Sequence, residues 1–333
     1  MNQPKQSTET KEALFKRVLV TGATAPLGRL LIDELLQDPR IDVILAVGAE
    51  AKEALYGLPS DPRFQYEQVD LTRFRRLRRL LFGAAKTLEI DAIIHTAQHR
   101  RASDTKTKAH ILNVESTRAL LHLSERHPTI RRFVYRSYGE MYKISADLPG
   151  LIEEDHPLSL SEHTPQWLRD RIEADLTVCS HMGLAELEIV VLRCAECLSL
   201  GTGSQLCDYL GSRVCFRPMG FDPMLNVLSL EDLSKSLLLA LQHHAQGIFN
   251  IPGKDTLPLS LAIKKAGRAE IAVPEAFLPT LYWARRLTRG YDFRYDMNRW
   301  RFHFNGVLDG RRAREVFGYV PDTPVDWFTV GVC

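Results

Sequence analysis

No stretch of eighteen apolar residues occurs anywhere in the 333-residue chain, which excludes a membrane-spanning helix. Charge of one sign is equally scarce. The 43 basic residues stand against 41 acidic ones, for a formal net charge of +2. Nucleic-acid modules carry a clear basic excess, so this balance argues against that class of partner. The opening stretch from Met1 to Glu12 is polar and has no apolar core of a signal peptide, which leads to the expectation of a cytoplasmic protein. Cysteines number only six. Cys194 and Cys197 form a C-x-x-C, but Cys207 and Cys215 stand too far apart for a second tight pair. Buried thiols are therefore expected, and no metal site. Repeats and low-complexity runs are missing too.

What is present is an ordinary globular composition, 45% hydrophobic and 25% charged, long enough for about two domains. Residues 1–14 read as a flexible tail. Short apolar runs then alternate with helical periodicity. Strands are predicted at Phe15–Thr21, Val43–Val47, Phe64–Asp70, Asp91–His95, Arg132–Ser137 and Ala185–Arg193. Helices fill the gaps, the first marked by Leu27, Leu30, Leu31, Leu35 and Leu36, others at 72–85 and 104–126. Such alternation gives an α/β fold with a doubly wound parallel sheet, because each crossover must pack back onto the sheet. The pattern breaks up after residue 193. There, strand-like pieces at Asn226–Leu230 and Gly247–Ile251 sit among loops and helices at 231–243 and 275–288. This part reads as a smaller irregular lobe over 194–333, with about 225–245 returning to the first domain (15–193). A cleft between the two is the default binding site.

The turn after the first strand is Thr21-Gly22-Ala23-Thr24-Ala25-Pro26-Leu27-Gly28. Glycines between strand and helix let backbone amides approach a pyrophosphate, and the helix N-terminus favours its charge. Pro26 is tolerated because the first helical turn has spare N–H groups. Strand, turn and helix stand in the order a dinucleotide site requires.

From these pieces onward the chain resembles an extended short-chain dehydrogenase/reductase of the NAD-dependent epimerase/dehydratase family, whose members often act on nucleotide sugars. The resemblance runs from about Arg17 to Tyr319. It rests on TGATAPLG (21–28), VDLT (69–72), His95-Thr96-Ala97, NVEST (113–117), FVYRSYGEMY (133–142), VVLRCAECLSLG (190–201), LNVLSLEDL (225–233), FNIPG (249–253) and LDGRRAREVFGYVP (308–321). It implies a Rossmann-type sheet with a C-terminal substrate-type lobe, NAD or NADP as cofactor, and a nucleotide or nucleotide-sugar ligand. It also implies a homodimer paired through helices at about 104–126 and 165–182. Gly22 and Gly28 would line the pyrophosphate, with Thr24 and Ala25 in the same turn. Asp70 and Leu71 would face the adenine, Ala97 the ribose, and Asn113 would be the structural asparagine of the active-site helix. Asp70 has a second reading as a helix-capping residue beside Thr72, and His95 one as a packed side chain.

The departures bear on chemistry. Ala25 stands where the family carries its middle glycine. The acidic residue for the ribose 2′-OH aligns near Gly48, with Glu50 the nearest acid and no arginine for a 2′-phosphate, so NAD and NADP are not distinguished. The family's Tyr-x-x-x-Lys pair, in which the lysine lowers the phenol pKa for proton transfer, aligns with Trp167 and Arg171. Indole N–H only donates. Arg171 is expected to reach a ribose hydroxyl, and Tyr138 takes the Ser/Thr position. No tyrosine in the chain has lysine four residues on; Tyr209, Tyr282 and Tyr295 have arginine there.

Two readings follow. Either Tyr138 or Tyr142 replaces the phenol, activated by Arg136 or Arg171, or the centre has lost this chemistry and binds a nucleotide or partner as a sensor or scaffold. The second is preferred, because a displaced tyrosine more often packs than catalyses. Two basic, aromatic segments, LTRFRRLRRLL (71–81) and 278–304, are read first as ordinary packed elements with solvated arginines. Peripheral membrane contact is the alternative.

Overall fold

The computed structural model describes residues 14–99, 107–162, 164–199, 201–289 and 293–330. Apart from Leu14, the expected tail lies outside these residues, as do 104–106 of the predicted third helix, Cys333 and residues 290–292.

Seven parallel strands form the central sheet: β1 (Arg17–Thr21), β2 (Val43–Gly48), β3 (Phe64–Gln68), β4 (Ala92–His95), β5 (Arg132–Tyr138), β6 (Glu188–Cys194) and β7 (Gly247–Ile251). Their spatial order is β7-β6-β5-β4-β1-β2-β3, so the winding reverses between β1 and β4. The sheet is the doubly wound α/β form expected from the sequence. Gly247–Ile251 departs from the picture of an irregular lobe: it pairs in parallel with β6 as the edge strand. A five-residue strand reached through a helix leaves little periodicity to read.

The main helices are α1 (Pro26–Gln37), α2 (Phe74–Leu80), α3 (Ser116–Glu125), α4 (Gln166–Ser180) and α5 (Leu230–Leu241). Two wide turns, Leu81–Ala85 after α2 and Ile111–Glu115 before α3, interrupt stretches predicted as continuous helix. Strand alternation sends Val18, Val20, Ile44, Ala46, Val190 and Leu192 to one face, where α1 and α5 cover them. Leu19, Leu45, Val47, Ile93, Phe133 and Val191 go to the other, under α2, α3 and α4. A third core, around Tyr209, Phe293, Tyr295 and Phe302, belongs to the C-terminal region. Cys194, Cys197, Cys207 and Cys215 are buried, and burial pushes the Cys194 and Cys197 thiols up to about 12. Among the described residues no helix is long and apolar enough to cross a membrane.

The segment 71–81 folds as its packed reading expects. Leu71, Leu77, Leu80 and Leu81 are buried, while Arg73, Arg75, Arg76, Arg78, Arg79 and Phe74 face solvent.

Candidate functional site

The winding reversal opens a crevice at the carboxyl ends of β1 and β4, the place where doubly wound sheets bind ligands. A cleft of about 210 Å³ lies there, lined by the ends of β1, β2, β4 and β5 and closed by Thr202 and Leu233 from beyond β6. Gly22, Thr24, Ala25, Asp70, Leu71 and Ala97, all expected from the sequence, line it together.

Gly22 has φ +72°, a left-handed conformation that lets the chain turn sharply out of β1. Ala25 is the N-cap of α1, with φ −72° and no side-chain cap. That backbone suits alanine, so its methyl adds bulk to the cleft wall without strain. Gly28 is a correction: it does not line the cleft. A Cβ there would lie 2.7 Å from Ala23 Cα and closer still to Gly22 O, so its role is to let α1 pack against the turn. Asn113, the structural asparagine of the sequence reading, does not line the cleft either. It is buried, and its Oδ1 accepts the His99 amide at 2.7 Å, fastening the loop after β4 without facing the cleft.

Beyond β2, Thr24 Oγ1 donates to Glu50 Oε2 at 2.8 Å, and Glu50 lines the cleft. Gly48 is needed beneath this clasp because a Cβ would press on Tyr66 Oη and Thr24 Cγ2. Asp70 does not cap α2, whose N-cap is Arg73 with no side-chain hydrogen bond. It lines the cleft, while its Oδ1 accepts the Thr72 amide and hydroxyl at 3.0 and 2.6 Å. These bonds, with Thr72 Oγ1 first, hold its carboxyl below the usual range.

His95 is fully buried behind the cleft. Thr117 Oγ1 donates to Asn113 O at 2.7 Å, so it accepts from His95 Nε2–H at 2.9 Å. His95 Nδ1 is then an acceptor, and Thr21 Oγ1 donates to it at 2.7 Å while receiving the Thr96 and Ala97 amides. Every bond is satisfied by the neutral ring, and burial draws its pKa down to about 3. This histidine ties β1, β4 and α3 together and, through Thr21, holds the Thr96 and Ala97 amides in place.

At the far end of the cleft the side chains form a stack. The Arg171 guanidinium lies 3.4 Å from the centroids of both the Tyr138 and Trp167 rings, and Arg136 lies 3.9 Å from Tyr138. Two guanidiniums so close to one centroid must sit on opposite faces of the phenol. Arg171 is buried, pairs with Glu140, and does not line the cleft; it sits behind Tyr138 rather than reaching a cofactor hydroxyl as expected. Tyr138 does line the cleft, but its Oη is covered and has no hydrogen-bond partner among the described residues. Tyr142 lies elsewhere. Its Oη donates to Asn250 Oδ1 at 2.7 Å and receives Arg193 at 3.2 Å, and burial pushes it up to about 12.

Sequence reading did not single out Gln98, Thr202 or Leu233 for the cleft. Gln98 Nε2 donates to Tyr135 Oη and Arg136 O at 3.0 Å. Only its closeness to Ala97 gave a signal; Thr202 and Leu233 arrive from distant sequence and gave none.

A glycine turn over a cleft at the switch point of a doubly wound sheet defines a nucleotide-binding α/β protein. Residues 18–210 match the model of the NAD dependent epimerase/dehydratase family, and the chain belongs to that family. An uncharacterised protein of Mycobacterium tuberculosis is 27% identical over 322 residues, covering 95% of this chain and 81% of its own length. Three solved structures share the fold. The Bordetella bronchiseptica enzyme WbmH, in complex with NAD+, gives a TM-score of 0.70 at 16% identity, covering 95% of this chain and 96% of its own. MoeE5 with UDP-glucuronic acid and NAD gives 0.67 at 17% identity, with 92% and 94% covered. The UDP-glucose 4-epimerase of Thermotoga maritima with UDP-glucose gives 0.67 at 14% identity, with 95% and 96% covered.

Proposed function

We propose that this chain binds a nicotinamide dinucleotide in the cleft, NAD in preference to NADP, beside a nucleotide or nucleotide-sugar ligand. On this reading it has lost the proton-transfer chemistry of a Tyr-x-x-x-Lys pair and acts by binding, as a sensor or scaffold. One observation carries the reading. The ionisable side chains lining the cleft are Glu50, Asp70, Arg136 and Tyr138. Glu50 and Asp70 belong to the end beyond β2 and β3, Arg136 stays charged, and the Tyr138 hydroxyl is sealed. Among the described residues, no acid or base that cycles near neutral pH faces the far end, where the nicotinamide would lie. Removing a positioned acid/base typically lowers a rate by about 10²–10⁴-fold. Glu50 supports NAD, since a carboxylate there accepts a ribose hydroxyl and repels a 2′-phosphate.

The complexes of WbmH and MoeE5 with NAD, and of MoeE5 with UDP-glucuronic acid, support the choice of ligands by analogy of fold. Calorimetric titration with NAD+, NADH, NADP+ and NADPH tests the reading. Saturable binding with NAD tighter than NADP is expected, and no binding at millimolar concentration refutes it. The rival reading, an active oxidoreductase or epimerase using Tyr138, is favoured by that ring's place on the cleft wall. It requires the phenol to turn outward, and turnover abolished by Tyr138→Phe would establish it.

A further inference from the structure

Arg136 closes the cleft on the β5 side with only 6% of its surface exposed. The groups around it are the Tyr138 ring, the Cys194 and Cys197 thiols and, further off, Glu140. Neither nearby carboxylate answers its charge. Glu140 pairs with Arg171 and lies 3.9 Å from Arg301. Glu196 takes Arg301 at 2.6 Å, together with Ser204 Oγ and the Leu206 amide. Among the described residues, three guanidiniums thus share two carboxylates, and Arg136 is the one left over. Its Nε has no hydrogen-bond partner among the described residues.

A buried cation without a counter-charge is costly, and proteins keep one where a ligand brings the anion. Stacking on Tyr138 restrains the guanidinium while leaving its in-plane N–H donors free, the fork that matches carboxylate and phosphate. Its place matters as well. β4 separates β5 from β1, so Arg136 stands about 10 Å across the sheet from the glycine turn, two strand spacings away. The pyrophosphate of a dinucleotide on Gly22 would not be its partner.

We propose that Arg136 is an oxyanion anchor, and that the far end of the cleft takes a small-molecule ligand bearing a carboxylate or phosphate. The inference takes its geography from the proposed dinucleotide site, but the unanswered charge stands without it.

The test is calorimetric titration of the full chain with malonate and, separately, inorganic phosphate, with and without saturating NAD. Wild type is compared with Arg136→Met and Arg136→Lys, all checked for folding by circular dichroism. Saturable one-site binding to wild type is expected, weakened about tenfold or more in Arg136→Met and partly restored in Arg136→Lys. The preferred anion tells carboxylate from phosphate. Absence of saturable anion binding to wild type overturns the proposal, whether or not the variants fold. So does undiminished binding to Arg136→Met, or a parallel loss of NAD affinity, which would give Arg136 to the cofactor. Anion binding through Arg136 in a protein that ignores NAD would support the anchor and refute the dinucleotide reading.

Discussion

Acidification should expose His95 as a principal acid-sensitive joint of the fold. Its ordinary pKa of 6.5 falls to about 3 in the folded protein because the buried ring cannot be charged. Between these values the unfolded chain binds a proton that the native state refuses, so stability falls as pH falls. Each pH step of one across this window costs about 1.36 kcal/mol, so the whole window amounts to about 5 kcal/mol, of which about 2 kcal/mol is lost by pH 5. Total domain stabilities are only about 5–15 kcal/mol, so the effect is measurable in urea unfolding at pH 7 and pH 5. Other groups titrate in this range. Burial holds His127 down as well, and it holds the Asp91 carboxyl up, which acts in the opposite sense. The informative quantity is therefore wild type against His95→Gln. The variant starts less stable, since the Thr21 and Thr117 hydroxyls lose the ring, but it should lose about 2 kcal/mol less between the two pH values. Parallel losses in both proteins would refute the reasoning. An NMR titration giving the His95 ring an ordinary midpoint, or showing its proton on Nδ1, would do the same.

Gly28→Ala should lower stability by about 1–3 kcal/mol or more and abolish nucleotide binding, read as a fall in Tm, because the new methyl meets the Gly22–Ala23 backbone rather than a movable side chain. Ala25→Gly should leave Tm within a degree or two and tighten NAD by up to about tenfold in calorimetry, since glycine caps a helix at least as well as alanine and the methyl leaves the cleft. Glu50→Gln should narrow the preference for NAD+ over NADP+ by about tenfold or more, the effect of removing a charge some 4 Å from a phosphate. Unchanged selectivity would take Glu50 out of ribose recognition.

Most of the sheet was legible because strands such as Val43–Gly48 are short apolar runs beside a helix with clear periodicity, as α1 shows. The glycine turn was legible because its chemistry is local, with ten residues within 21–28, 69–72 and 95–97 reaching one cleft. What stayed hidden was whatever depended on side-chain direction. Gly28 shares its motif with cleft residues yet faces the Gly22–Ala23 turn, and Asn113 faces the loop after β4. Arg171 read as a ligand-facing cation because its position in the pattern said nothing of Trp167 and Tyr138 closing over it. The two wide turns were equally invisible, since Leu81–Ala85 and Ile111–Glu115 keep a helical distribution of apolar residues.

The stack at the cleft's far end is also a structural tie. From Arg171 the charges run to Glu140, then to Arg301 and Glu196, and Arg301 lies in the C-terminal region beside the Tyr209 and Phe302 core. Burial raises the Glu140 carboxyl and Arg171 opposes that rise, so each ion is tolerable only while the other is present. Removing one partner of a buried pair typically costs about 3–5 kcal/mol, whereas replacing both with apolar groups of similar volume is often neutral. Arg171→Met alone should therefore destabilise strongly, and Arg171→Met with Glu140→Leu should recover most of the loss. If the double variant were no better than the single one, the chain of charges would not be what joins the cleft to the C-terminal region, and packing of Trp167 on Tyr138 through the guanidinium would have to carry that role.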